Sequence, residues 1–133
     1  MTTLASSRIH ATAIVTLLTA GGLTTYLSDA DDAAPGTYVV VHPSPGSYAG
    51  AMGDRFQELL LSFQTTCVGV GPEQALATHD AAGLILAGGI PTIAGRTVHP
   101  IWLDEDPQPI RRDDTLEQPL FYAVARWVLH TSA

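Results

Sequence analysis

Apolar residues return at three- and four-residue steps through Ile9, Ala13, Ile14, Leu17 and Leu18, and this spacing predicts an amphipathic helix near the start of the chain. Ser6 or Ser7 is placed to cap it, and Gly21-Gly22 supplies a left-handed stop. A short strand over Leu23 to Leu27 and a loop over Ser28 to Gly36 follow. The β-branched and aromatic run Tyr38 to His42 predicts a strand that ends at Pro43. Residues 43 to 54 (PSPGSYAGAMGD) hold two prolines and three glycines, too much for a tight hairpin, and predict a flexible loop.

The strongest alternation lies over Arg55 to Val68. Leu59, Leu61, Phe63, Thr65 and Cys67 point one way, and Glu58, Leu60, Ser62, Gln64 and Thr66 the other, giving one core face and one wet face. A second helix opens at Gly71-Pro72-Glu73-Gln74 and ends at Gly88-Gly89. Its spacing predicts a buried stripe of Ala75, Leu76, His79, Ala82, Gly83 and Leu86. Arg96 to Leu103 reads as a strand interrupted by Pro100, which puts it at an edge or bulge. Leu120 to His130 is apolar on nearly both faces, so it predicts a central strand or one covered by another subunit. The order α β β β α β β points to an α+β fold. We expect an antiparallel-rich mixed sheet of four to five strands with two helices packed on one face.

Composition bounds what these elements can build. With 133 residues, 46% of them apolar and 14% charged, the chain suits one domain, residues 1–133, with one core. Its net charge is −7, and its six basic residues are all arginines, scattered except for Arg111-Arg112. Phosphate or anionic lipid recognition needs a clustered basic surface, so a protein partner is expected, with neither specific nucleic-acid binding nor a membrane. His10, five threonines and Gly21-Gly22 interrupt the apolar stretch Ile9 to Leu27, and no charged leader precedes it. The chain is expected to be soluble and not secreted.

Candidate chemistry is thin. His10, His42, His79, His99 and His130 show no i, i+4 pair of the zinc-binding type, and His79 reads as a packed helix residue. Pro45-Gly46-Ser47-Tyr48 lacks the second glycine of a nucleophile elbow, and Gly69-Val70-Gly71 lacks the third glycine of a dinucleotide loop. Cys67 is the only cysteine and falls on the predicted core face, where burial disfavours its thiolate. Asp104-Glu105-Asp106 and Arg111-Arg112-Asp113-Asp114 remain. They read as a solvated, proline-punctuated loop or as an intersubunit charge clamp, and more remotely as the carboxylates of a small hydrolase. No catalytic residue, cofactor or metal is expected, and the chain reads as a non-enzyme.

Three stretches together resemble the tail terminator (tail completion) proteins of long-tailed bacteriophages infecting high-GC Gram-positive hosts. They are Phe63-Gln64-Thr65-Thr66-Cys67-Val68-Gly69 leading into Glu73-Gln74-Ala75, then Ile93-Ala94-Gly95-Arg96, then Arg111-Arg112-Asp113-Asp114 ahead of Phe121-Tyr122-Ala123-Val124. The resemblance implies a virion protein at the head-proximal end of the tail, assembled in the host cytoplasm. It would form a homohexameric ring on the tail tube protein, end polymerisation and offer a surface to a head-tail connector or neck protein. DNA would pass through its acidic bore without specific binding. A head-closure or neck connector subunit is the alternative. The expected subunit or partner contacts are Tyr48, Asp54, Arg55, Asp104, Glu105, Asp106, Arg111, Arg112, Asp113 and Asp114.

Overall fold

A computed structural model describes residues 6–28, 36–49, 57–104, 109–113 and 120–132. The first helix, α1, runs Ser7–Ala20, with the Ser6 side chain accepting from the Ile9 amide. That bond satisfies one of the donors that a helix start leaves without an intrahelical partner. Gly22 takes the left-handed conformation just past the helix end, at φ 94°. The second helix, α2, runs Pro72–Leu86 behind Gly71, with proline in its first turn. Gly88, at φ 76°, turns the chain away from it.

The sheet is assembled on two long strands. Strand β4 (Glu58–Gly69) and strand β8 (Leu120–Ser132) are antiparallel, with Glu58 opposite Ser132 and Gly69 opposite Phe121. Beside β4 lie β2 (Tyr38–Pro43) and β3 (Ser47–Ala49), both antiparallel to it. Strand β1 (Thr25–Leu27) adds to β2 in parallel. The far side of β8 is covered in tandem by β5 (Thr97–Val98), β6 (Trp102–Asp104) and β7 (Arg111–Asp113).

The class is therefore α+β with a mixed sheet, but among the described residues the sheet has eight strands where four to five were expected. Two of the extra strands, β3 and β7, fall in segments predicted as loop, within residues 43 to 54 and 104 to 118. Each is three residues long and takes its ladder from a long neighbour, so neither carries a period of its own for the sequence to display. The third comes from Pro100, which splits the predicted strand 96–103 into β5 and β6 by removing a ladder donor. The expectation for residues 120 to 130 holds in its first form: β8 is central.

Both helices pack on one face of the sheet. Ile14 and Leu18 of α1 and Ala82 and Leu86 of α2 meet Val39, Val41, Leu61, Phe63, Cys67, Ala123, Ala125, Trp127 and Leu129, joined by Ile93 and Ile101. Strand alternation places all these sheet residues on that face, as the register pairs Leu61 with Leu129 and Phe63 with Trp127. The Trp127 indole N–H donates to Thr65 Oγ1 at 3.1 Å, so a large ring is buried without an orphaned donor.

The stripe predicted on α2 is corrected. Ala75, Thr78, Ala82 and Leu86 are buried, whereas Leu76 is 47% exposed, and His79 and Gly83 are only half-buried. Thr78 tolerates burial because its hydroxyl donates back to the Gln74 carbonyl at 2.8 Å. In α1 the reading shifts by one residue: Ile9 is half exposed and His10 is buried.

Candidate assembly surface

With both helices on one face, the alternate residues of β4 and β8 line a face that no described helix covers. This open face carries Leu60, Ser62, Gln64 and Thr66 from β4, and Tyr122, Val124, Arg126, Val128 and His130 from β8. On the β2 side it continues into Tyr26 and Tyr38, whose rings meet edge to face at 5.7 Å. On the other side the register carries it onto the edge segments: Trp102 lies opposite Val128, Asp104 opposite Arg126 and Arg111 opposite Tyr122. Trp102 and Leu60 are 45% and 43% exposed. An exposed tryptophan flanked by charges of both signs is the composition of a protein-contact patch.

The structure sorts the expected contact residues into three groups. Asp104 and Arg111 share the open face beside β8. Arg112 points to the opposite face, its guanidinium carbon 5.8 Å from the centre of the Phe121 ring. Tyr48 sits far from both. It pairs with Leu59 on the other side of β4, at the level of Thr131, about nine residues or roughly 30 Å along β8 from Tyr122. Arg111, Arg112 and Asp113 lie in an edge strand, which replaces the loop expected there. Asp54, Arg55, Glu105, Asp106 and Asp114 fall outside the described residues.

A polar cluster that sequence reading missed stands where β4 and β8 begin and end. His130 bonds Glu58, Ser132 donates to Glu58 Oε1 at 3.2 Å, and His99 Nε2 lies 2.9 Å from Ser132 Oγ. The His99 and His130 rings stack at 4.3 Å, so two of the five seemingly scattered histidines meet. The hydrogen bond from His130 holds the Glu58 carboxyl below its ordinary 4.5, against an opposing effect of burial. A carboxylate only accepts, so the Ser132 proton is directed at Glu58 and His99 must donate to Ser132. That direction is the reverse of the one a histidine base needs to activate a serine.

Behind this cluster a second chain of hydrogen bonds crosses into the core. Arg96 Nε donates to Thr131 Oγ1 at 2.9 Å, Thr131 lies 2.8 Å from His10 Nε2, and His10 Nδ1 lies 2.7 Å from the Ser6 carbonyl. Since that carbonyl can only accept, Nδ1 carries the imidazole proton and Thr131 donates to Nε2. Burial, aided by the nearby Arg96 charge and opposed by the Ser6 bond, keeps the His10 pKa below 6.5. Neither cluster was visible in sequence, because the first depends on the registers of β4 and β5 against β8, and the second on where α1 and Arg96 meet the end of β8.

Among the described residues no group of three or more histidine, cysteine or acidic side chains is placed to hold a metal ion, and no helix is long and apolar enough to cross a membrane. Burial pushes the Cys67 thiol up to about 12, with a weaker opposing bond from Thr65.

No family model and no curated protein matches the chain. Among solved structures it is similar to a chain from the virion of a native gene transfer agent particle, with a TM-score of 0.60 at 15% identity, over 96% of this chain and 92% of that one. A second solved chain, 18% identical, gives a TM-score of 0.49 over 95% of this chain and 92% of its own length. The first likeness establishes a shared fold across nearly the whole molecule.

Proposed function

We propose that this chain is a structural virion protein that forms a ring on the end of a phage tail tube, stops its growth and presents a surface for joining the head. The observation that carries this reading is the fold shared with a gene transfer agent virion chain over 96% of the sequence. The net charge of −7 suits a ring whose bore lets DNA pass without adhering. The open sheet face, with Trp102 beside the facing residues Asp104 and Arg126, supplies a contact patch for the tube or neck. The role proposed is structural and not catalytic, and the direction of the Ser132 proton, toward Glu58 and away from His99, agrees with that reading.

The test mixes purified protein with tail tubes and images them by negative stain. Rings seated on tube ends, and tubes that no longer elongate, are expected. Absence of both overturns the reading, and binding to a portal complex but not to tubes replaces it with a head-closure or neck role.

A further inference from the structure

On the helix-covered side of the molecule, α1 and the segment after α2 leave a groove of about 470 Å³. Its walls are Ile9, Ala13 and Leu17 on one side and Ile90 and Pro91 on the other, and Arg8 stands at one end. Ile9 and Ile90 are 50% and 58% exposed, so the groove is mostly apolar and no described residue covers it, with Thr12, Thr16 and Thr92 among its lining. Elsewhere on the same side, α2 turns a ridge outward: Leu76, Asp80 and Leu84 follow at four-residue steps, with Glu73 one turn before Leu76. Leu84 is 86% exposed, more than any other large apolar residue described.

The two features match in spacing, and in charge at one end, where Glu73 and Arg8 have opposite signs; Asp80, midway along the ridge, comes opposite Ala13 between the groove-lining Thr12 and Thr16. Ile9 and Leu17 are eight residues apart, as are Leu76 and Leu84, so both pairs span about 12 Å of helix. Laid parallel, Leu76 meets Ile9 and Leu84 meets Leu17, and Glu73 falls level with Ser6, about 3 Å along the helix from Arg8 and within reach of its long side chain. The antiparallel arrangement keeps the apolar match but carries Glu73 away from Arg8. Ridge and groove sit on different helices of one chain, so the ridge reaches a groove only on another molecule.

We propose that the α2 ridge of one copy docks in the α1 groove of the next, in parallel register, with Glu73 within reach of Arg8. The contact joins two different patches and so repeats head to tail, the type of interface that closes into a ring when the rotation permits. This inference rests on the ring reading and names the surfaces that would build it, leaving the open sheet face for another partner.

The experiment uses the buried, unreactive Cys67 as a silent background. Thr16→Cys places a thiol at the groove beside Leu17, and Leu84→Cys places one on the ridge; both native residues are exposed, so the fold tolerates the change. The two variants, each with one added cysteine beside the buried Cys67, are mixed, concentrated and oxidised mildly. A disulfide between Thr16→Cys and Leu84→Cys chains is expected, well above the yield from Thr16→Cys with Leu76→Cys. Leu84→Asp should weaken association by at least about tenfold in sedimentation. Arg8→Glu should weaken it too, and pairing that variant with Glu73→Arg should restore it. A wild type that shows no association at any concentration, with or without tubes, overturns the inference. So does association without the mixed disulfide, or disulfides only between identical variants. Capping of tubes by wild type in the same preparation reports separately on the ring function, which survives if capping persists while this contact fails.

Discussion

His10 shows how much one buried residue can couple. Its imidazole ties the start of α1, through Ser6, to the end of β8 through Thr131, and Arg96 holds the far end of the chain of bonds. In the folded state the ring stays neutral because burial disfavours its charge. Above the ordinary value of 6.5 both folded and unfolded chains keep it neutral, so it contributes no pH dependence. Below 6.5 the unfolded chain takes up a proton that the folded chain resists, so stability falls with pH until the lowered native value is reached. Denaturant titrations of wild type and His10→Gln between about pH 7 and pH 5 should therefore differ in slope, with the variant flatter. Thr131→Val strips a partner from both His10 and Arg96 and should cost about 1–3 kcal/mol at neutral pH. Cys67 is the quiet counterpart. With its thiol pushed up to about 12 and its side chain buried, it should react with a thiol reagent only on unfolding, which a labelling time course in and out of denaturant will show. The sequence alone supports burial of Cys67, because alternation along its strand is local. His10 is not legible in that way, since its partner is 121 residues away.

Elements follow the same division between local and distant causes. Both helices, their caps and the two long strands are legible because each is long enough to show a period and is bounded by glycine or proline. Strands β3, β5, β6 and β7 are two or three residues long, and only the ladders of β4 and β8 make them strands. The junction of β4 and α2 is closely packed backbone against backbone. A Cβ on Gly69 would stand 2.5 Å from the Ala75 amide nitrogen and 2.7 Å from the Gln74 carbonyl carbon. These are backbone atoms of the helix itself, so relief requires moving α2 off the sheet. Gly69→Ala should lower stability by about 1–3 kcal/mol, read from the midpoint of urea unfolding. Gly88→Ala is the contrast: nothing lies within 4 Å, and its cost comes only from the positive φ.

At the scale of the whole molecule, the helices leave two surfaces that differ in kind and look in opposite directions. The helix side offers the groove and the ridge, complementary to one another. The sheet side offers Trp102 and Leu60 among Tyr122, Val128, Arg126 and Asp104, with short edge segments beside it that invite little strand pairing. The expected contact residues mark the sheet side only in part: Asp104 and Arg111 fall there, Arg112 and Tyr48 do not. A charge pattern in sequence cannot say which side of a strand it occupies when the strand itself is unforeseen. If the sheet side meets the tube or neck, Trp102→Asp should abolish end-capping while self-association persists. Trp102 is 45% exposed and outside the core cluster, so the thermal unfolding midpoint should move little. Leu84→Asp should do the converse, weakening self-association first and capping only at low protein concentration, where a partly assembled ring loses the added strength of several simultaneous contacts. Measuring both variants by sedimentation and by negative stain separates the two surfaces. Loss of both activities in Trp102→Asp, with an unchanged midpoint, would show that one surface serves both contacts and that the division between the two faces is wrong.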